Sequence, residues 1–310
     1  MNKNNCFLTI GIPTYNRSHY LKECLDYLCP QITDEVKVVV RDNCSTNYNF
    51  YEFIQPYVEE YGVLAVQNTV NIGGDANVAR LFECCDTKWL WVLGDDDYVS
   101  NEAVQTVVNI VKANGNSIYI KLNSKFEGET RGLVGFCNVM KEKGAYAASF
   151  FTSECINNID ATREYMHWHY RYLSTSTAQI LRVIKFLQDH DDALCFFSNE
   201  DIILNHGADI TWNHFAIVPY QSLTFDIFRS CRKQLNNNVF KAITTYCLVY
   251  IDSADIPWKD KLHYHFLFWY KFGIFNILHY NYVQILRIPL RFFIKGTWYK
   301  RIKQLFGRSN

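Results

Sequence analysis

Trp89-Leu90-Trp91-Val92-Leu93-Gly94-Asp95-Asp96-Asp97-Tyr98 is an apolar run that ends abruptly in three consecutive carboxylates. The run reads as a buried strand. Acidic side chains crowded at the end of such a strand repel one another and resist desolvation, so the arrangement suits the holding of a cation. Ligands that are all oxygen favour a hard ion, Mg²⁺ or Mn²⁺, which keeps waters and shares its shell with substrate phosphates. A metal-bound nucleotide is one reading. A solvated acidic turn capping the next helix is the other.

Upstream, the two periodicities alternate. Phe7 to Ile12 is a short β-rich run stopped by Pro13, and Ser18 to Leu28 carries apolar residues at helical spacing. Val36 to Val40 is a second buried-strand run, ended by the turn formers Arg41 to Thr46. A helical stretch from Phe50 to Tyr61 leads to a third strand, Val63 to Val66. The turn Asn71-Ile72-Gly73-Gly74 and a helix from about Asp75 to Cys85 then deliver the chain to the acidic strand. Strands and helices alternating at this spacing predict βαβ units and a mostly parallel sheet. Ligands of such sheets bind beyond the carboxyl ends of the strands. Thr14 to Arg17, Asp42-Asn43 and Asp95 to Asp97 each follow a strand, so these clusters should meet at one edge.

Composition bounds the remainder. A chain of 310 residues that is 49% hydrophobic can build one large domain with an appendage, or two small ones. A formal net charge of zero offers no global case for nucleic acid, and no RNA-binding aromatic motif is present. Eleven cysteines without a Cys-x-x-Cys pair suggest neither a zinc site nor a disulfide framework. With a polar Met1 to Asn5 leading straight into a strand, the expected location is the reducing cytoplasm.

Four stretches resemble the family 2 glycosyltransferases, inverting nucleotide-sugar enzymes of GT-A fold. They are Ile12 to Arg17, Val38 to Thr46, Asn71 to Arg80 and Leu93 to Asp97, and they cover about the first 120 residues. The likeness is strongest to the bacterial subgroup, abequosyltransferase-like enzymes included, that builds O-antigen and other surface polysaccharides. It implies an α/β GT-A fold, a Rossmann-like, mostly parallel sheet with helices on both faces. Residues 1–120 would form its nucleotide-sugar half, 121–225 its acceptor half and 226–310 a helical extension.

The resemblance also implies roles. Pro13, Thr14, Tyr15, Arg17, Asp42, Asn43, Gly74, Asn77, Arg80, Asp95 and Asp96 would contact the nucleotide. Among these, Pro13 and Thr14 would pack on it and Asp42 would accept the imide N–H of a uracil-like base. Arg80 would reach a phosphate or the base. Asp97 or Asp96 would hold Mn²⁺ or Mg²⁺, and Asp95 would face the ribose or diphosphate. Because Gly94 stands where the family's first Asp would be, the division of labour among the three carboxylates stays open.

An inverting transfer needs a general base for the acceptor hydroxyl. The family places it about 100 residues after the acidic motif, often in a Glu-Asp pair opening a helix. Ser198-Asn199-Glu200-Asp201-Ile202-Ile203-Leu204 matches, with Asp201 the first choice and Glu200 the second. The same residues would equally make an ordinary helix N-terminus. Residues 128–177 would shape the acceptor pocket, and His167 and His169 there lack a third ligand type for a metal.

From Lys261 onward there are nine Lys or Arg residues and no Asp or Glu. The apolar run from Phe266 to Leu278 is interrupted by Lys271, too soon for a membrane span. Ile285 to Phe306 interleaves basic with apolar residues, as in segments that lie on an anionic inner leaflet. The expected protein is thus a metal-dependent glycosyltransferase, peripheral on the cytoplasmic face of the inner membrane. It would move a sugar from a nucleoside-diphosphate donor, UDP first, to a lipid-linked saccharide. The alternative is a non-catalytic nucleotide-sugar-binding subunit of a polysaccharide synthase.

Overall fold

The computed structural model describes residues 5–140, 152–205, 251 and 256–273. Two compact units emerge, Met1–Trp212 and Asn213–Asn310.

In the first unit the strands are β1 (Leu8–Thr14), β2 (Val36–Asp42), β3 (Leu64–Gln67), β4 (Trp89–Val92), β5 (Tyr98–Val99), β6 (Ser117–Lys121), β7 (Gly128–Arg131), β8 (Cys155–Asn158), β9 (Leu194–Phe197) and β10 (Ile203–Asn205). Its longer helices are α1 (Ser18–Leu28), α2 (Phe50–Tyr61), α3 (Gly74–Cys84), α4 (Ala103–Ala113), α5 (Gly132–Met140), α6 (Met166–Arg171) and α7 (Ala178–Asp189). Eight strands form one sheet in the order β3-β2-β1-β4-β8-β6-β9-β7, while β5 and β10 make a separate antiparallel ribbon. β1 to β4 run parallel; β8 is antiparallel to both β4 and β6, and β9 is parallel to β6. Hence β1, β2, β3, β4, β6 and β9 all end at the same edge, and β8 begins there. Residue 120 lies inside β6, and one sheet takes strands from both sides of it in sequence.

Alternation along the strands fills both faces. Leu8, Ile10 and Ile12 of β1, with Val36, Val38 and Val40 of β2 and Trp89 and Trp91 of β4, pack with α1, α2 and α4. Leu90 and Val92 point the other way, onto Leu81 and Phe82 of α3. Each such side chain contributes about 1.5–3 kcal/mol on burial. Gly11 lets α3 close on the sheet: a Cβ there would lie 3.1 Å from Leu81. α2 starts where the Asn49 side chain accepts the Glu52 N–H and stops at Gly62, left-handed at φ 70°.

β1 does not stop at Pro13. Pairing with β2 continues to Thr14↔Asp42, whereas pairing with β4 ends at Gly11↔Val92. Gly11 O faces β4, since it accepts the Leu93 N–H at 3.0 Å. Two residues on, the Pro13 nitrogen faces the same side, where no strand remains to need a donor.

A second correction concerns Ser198 to Leu204, which opens no helix. Ile203 pairs with Val99, and Ser100 N donates to Ile202 O at 2.9 Å, so the two isoleucines enter the β5–β10 ribbon. Ser198 is buried between strands, donating its N–H to Lys121 O at 2.7 Å, and is no N-cap.

In the second unit the described helix is α8 (Trp258–Phe272). No described helix is long and apolar enough to cross a membrane. The basic stretch 285–306 lies outside the described residues.

Candidate active site

At the common strand edge, Thr14 Oγ1 donates to Asp95 Oδ2 at 2.7 Å across 81 residues of sequence. Arg17, one residue before α1, reaches over the same carboxylates. Its Nη1 lies 2.7 Å from Asp95 Oδ1 and its Nη2 2.6 Å from Asp96 Oδ2. The guanidinium rests 4.9 Å from the Tyr20 ring centre, and its buried Nε finds no acceptor among the described residues. The first polar cluster thus supplies the internal counter-ion of the third. Burial acts to lower the Arg17 pKa, and Asp95 and Asp96 together outweigh it and raise it.

Asp95 is buried, and burial raises its pKa to about 7 against the opposing pull of Arg17 and Thr14. A cation that calls on the ionised Asp95 must therefore expel a proton when it binds below that value. Affinity is expected to strengthen as pH rises toward about 7 and to level off above it. Calorimetry in buffers of different ionisation heat measures the released proton, and a pH-independent affinity would remove Asp95 from the binding step.

Asp97 turns inward. Its Oδ2 accepts the Gly94 N–H at 3.2 Å and the Ser153 hydroxyl, while Ser153 Oγ also accepts the Gly94 N–H at 2.9 Å. Gly94 O accepts the Asp97 N–H at 3.2 Å, closing a turn. This accounts for glycine at 94: a Cβ would sit 2.5 Å from Asp97 Oδ2 and 3.2 Å from Asp96 Oδ1. An aspartate cannot occupy that position while Asp97 folds back, so the acidic motif begins one residue later. Gly94→Ala should push Asp97 off Ser153, weakening cation-dependent nucleotide binding roughly 10-fold or more. Equal titration curves for variant and parent would show that Asp97 can move without consequence.

Among the described residues no three His, Cys, Asp or Glu side chains converge as a finished cation cage. The donors nevertheless suit a hard divalent ion in chemistry, since all are carboxylate oxygens. Asp96 is the more exposed of the two Arg17-bound carboxylates, at 20% against 4% for Asp95.

The second cluster performs a different task. Asp42 is fully buried, with Oδ2 accepting Ser45 N at 2.7 Å and Gln67 Nε2 at 2.8 Å, and Oδ1 accepting the Ser45 hydroxyl. A base contact at Asp42 requires Ser45 or Gln67 to yield. Asn43 accepts Asn68 Nδ2 and Ile72 N, each at 3.0 Å, and donates to Asn71 Oδ1 at 2.8 Å. Asn68 also donates to Asn77 Oδ1 at 2.8 Å, and Asn77 donates to Arg41 O at 3.0 Å. Asn43 and Asn77 thus fasten the loop entering α3, with Asn68 and Asn71 as partners that no local pattern announced. Pro13 is half-buried, whereas Tyr15 and Gly74 are exposed beside the same loops. Arg80 is not brought to the carboxylates. It pairs with Glu83 at 2.7 Å on the exposed side of α3.

Glu200 and Asp201 are exposed and follow β9, at the same edge. β9 lies three sheet positions from β4, about 14 Å at the usual strand spacing. Ribbon register agrees: Asp97 and Asp201 flank opposite ends of the β5–β10 pairing, on the order of 13 Å apart. The interval is spanned by the end of β6 and the turn before β8. Leu122 N donates to Glu154 O at 2.7 Å, and Lys121 forms a buried ion pair with Glu154, next to Ser153. Asn123 carries the far end. Left-handed at φ 50°, it donates its N–H to Glu200 O at 3.2 Å, accepts Ile202 N at 3.1 Å and Ile203 N at 3.0 Å, and donates Nδ2 to Ile203 O at 2.9 Å. Sequence reasoning missed both Ser153 and Asn123. An asparagine just after a strand was the available signal for the latter.

His169 is buried against Phe82, ring centres 4.7 Å apart, and burial holds its pKa well below the ordinary value. It packs as a neutral ring.

The sequence model of Glycosyl transferase family 2 matches residues 9–136, from β1 into α5. Abequosyltransferase RfbV of Salmonella typhimurium is 29% identical over 101 residues, 31% of this chain and 30% of that protein. An uncharacterized glycosyltransferase of Haemophilus influenzae is 29% identical over 127 residues, 40% of this chain and 41% of that protein. These matches span less than half of either relative's length. In solved structures the fold recurs in S. aureus TarS, residues 1–349, with TM-score 0.52 and 15% identity over 87% of this chain and 73% of that one. It recurs also in a Pyrobaculum calidifontis mannosyltransferase in complex with GDP-Man and Mn²⁺, with TM-score 0.50 and 13% identity over 97% and 88%. Residues 9–136 are thus similar in sequence to glycosyltransferase family 2, and the sheet is of the GT-A kind.

Proposed function

We propose that this protein is an inverting, metal-dependent glycosyltransferase. It would move one sugar from a nucleoside-diphosphate donor to a lipid-linked saccharide of the O-antigen or capsule type, at the cytoplasmic face of the inner membrane. The observation that carries the proposal is the acidic triplet after β4, with Thr14 and Arg17 anchored on it and Glu200-Asp201 at the same sheet edge.

On this reading the donor diphosphate lies over Asp95 to Asp97. Asp96 and Asp97 would hold Mn²⁺ or Mg²⁺, which offsets charge on the departing diphosphate when bound. Asp95 keeps Arg17 and Thr14 in place beside the phosphates. The acceptor hydroxyl, entering from the Asp201 side, attacks the anomeric carbon as the bond to the diphosphate oxygen breaks. Asp201 takes the hydroxyl proton, with Glu200 the second choice. An interval near 14 Å leaves room for the transferred sugar and the attacking hydroxyl.

UDP is the first donor to test, since a carboxylate at Asp42 matches the uracil imide N–H once it displaces Ser45. TarS has also been crystallised with UDP and with UDP-GlcNAc, which supports the same choice of nucleotide. GDP, carried by the mannosyltransferase, is the second.

Calorimetric titration with UDP, CDP, GDP and dTDP, with and without Mn²⁺, tests the proposal. One nucleotide should bind in a Mn²⁺-dependent way, and Asp97→Ala should weaken it about 100-fold or more. Binding to none would overturn the donor assignment. Binding without turnover on any sugar donor would favour the non-catalytic subunit.

A further inference from the structure

α8 is apolar on two faces. His265 and Phe268 are buried on one side. On another, Trp258, Leu262, Phe266 and Tyr270 stand 59%, 41%, 63% and 74% exposed. These four are spaced by four residues, so they form a slowly turning stripe about 18 Å long. Lys259 and His263 fall on the same exposed side. Scattered exposed hydrophobes need no explanation, but a continuous aromatic stripe along one helix does.

We infer that this stripe is a docking face for an anionic lipid bilayer, on which α8 lies flat. Two observations choose lipid over a protein partner. Trp258 and Tyr270, at the ends of the stripe, are the amphipathic aromatic types that settle at the headgroup level. And the chain from Lys261 onward carries nine basic and no acidic residues, a charge pattern complementary to an acidic leaflet. A 15-residue helix is too short to span, so contact is parallel to the surface. The inference develops the membrane-surface part of the proposal above and is independent of its chemistry.

The test uses the full chain in co-sedimentation with vesicles of phosphatidylcholine, alone or with one-third phosphatidylglycerol. Binding should occur with phosphatidylglycerol, fall steeply as salt is added and be at least roughly tenfold weaker on neutral vesicles. Phe266→Glu and Tyr270→Glu, separately, should each weaken binding about tenfold or more. An unchanged melting profile for each variant establishes that it is folded, whatever the nucleotide titration gives. Equal binding of parent and variants would overturn the inference and transfer the contact to another part of the chain. A dimer in sedimentation equilibrium that Phe266→Glu dissociates, with no vesicle binding, would overturn it in favour of a second copy.

Discussion

Glu154→Ala is expected to cost about 3–5 kcal/mol of stability, because it strands the Lys121 ammonium inside the protein. The two side chains are 4% and 11% exposed, and among the described residues Lys121 Nζ also donates to Leu122 O, at 2.6 Å. One carbonyl cannot replace a carboxylate as partner to a desolvated charge. In a domain of this size the loss lowers the melting temperature on the order of 10 °C. The double variant Lys121→Met/Glu154→Leu should regain most of it, since removing both charges removes the desolvation cost as well. Thermal denaturation of parent, single and double variants decides. A single variant as stable as the parent would mean that water reaches the pair. Ser153 is the neighbouring residue and holds Asp97, so the single variant should also titrate nucleotide more weakly than the double.

The largest effect on activity is expected at Asp201. If it is the general base, Asp201→Asn lowers kcat by about 10²–10⁴ and leaves nucleotide affinity within about twofold. Asn123→Ala should imitate it in part. It deletes three side-chain hydrogen bonds to Ile202 and Ile203 and loosens the loop that presents Asp201. Misplacing a catalytic group by an ångström costs on the order of 10²-fold, so kcat should fall while donor KM holds. Turnover of Asp201→Asn within twofold of the parent would move the role to Glu200, tested next as Glu200→Gln.

Legibility of the fold followed the range of the interactions. α1 and α2 occupy Ser18–Leu28 and Phe50–Tyr61, the residues their periodicity marked, because an amphipathic helix is decided by its own face. Parallel strands ending in polar clusters were legible for the same reason. Failures came where a distant partner decides. Nothing near Ile203 tells that Val99 will pair with it, and a Glu-Asp pair after Ser198 satisfies helix-start chemistry equally well. Pro13 looked like a stop because its acceptance depends on β4 ending two residues earlier. Arg17 was foreseen at the nucleotide, but its grip on Asp95 and Asp96 depends on two loops meeting across about 80 residues. Ser153 and Asn123 act through hydrogen bonds to distant segments near strand ends, which no periodicity encodes.

The loop that enters α3 is fastened by Asn43, Asn68, Asn71 and Asn77, with Arg41 donating to Asn68 at 2.8 Å. The four asparagine amides carry no titratable proton. The loop beside the acidic turn is therefore held by a clasp indifferent to acidity, whereas the buried Asp95 is not. A pH dependence of nucleotide binding at this edge would then arise at Asp95 and not in the asparagines of that loop.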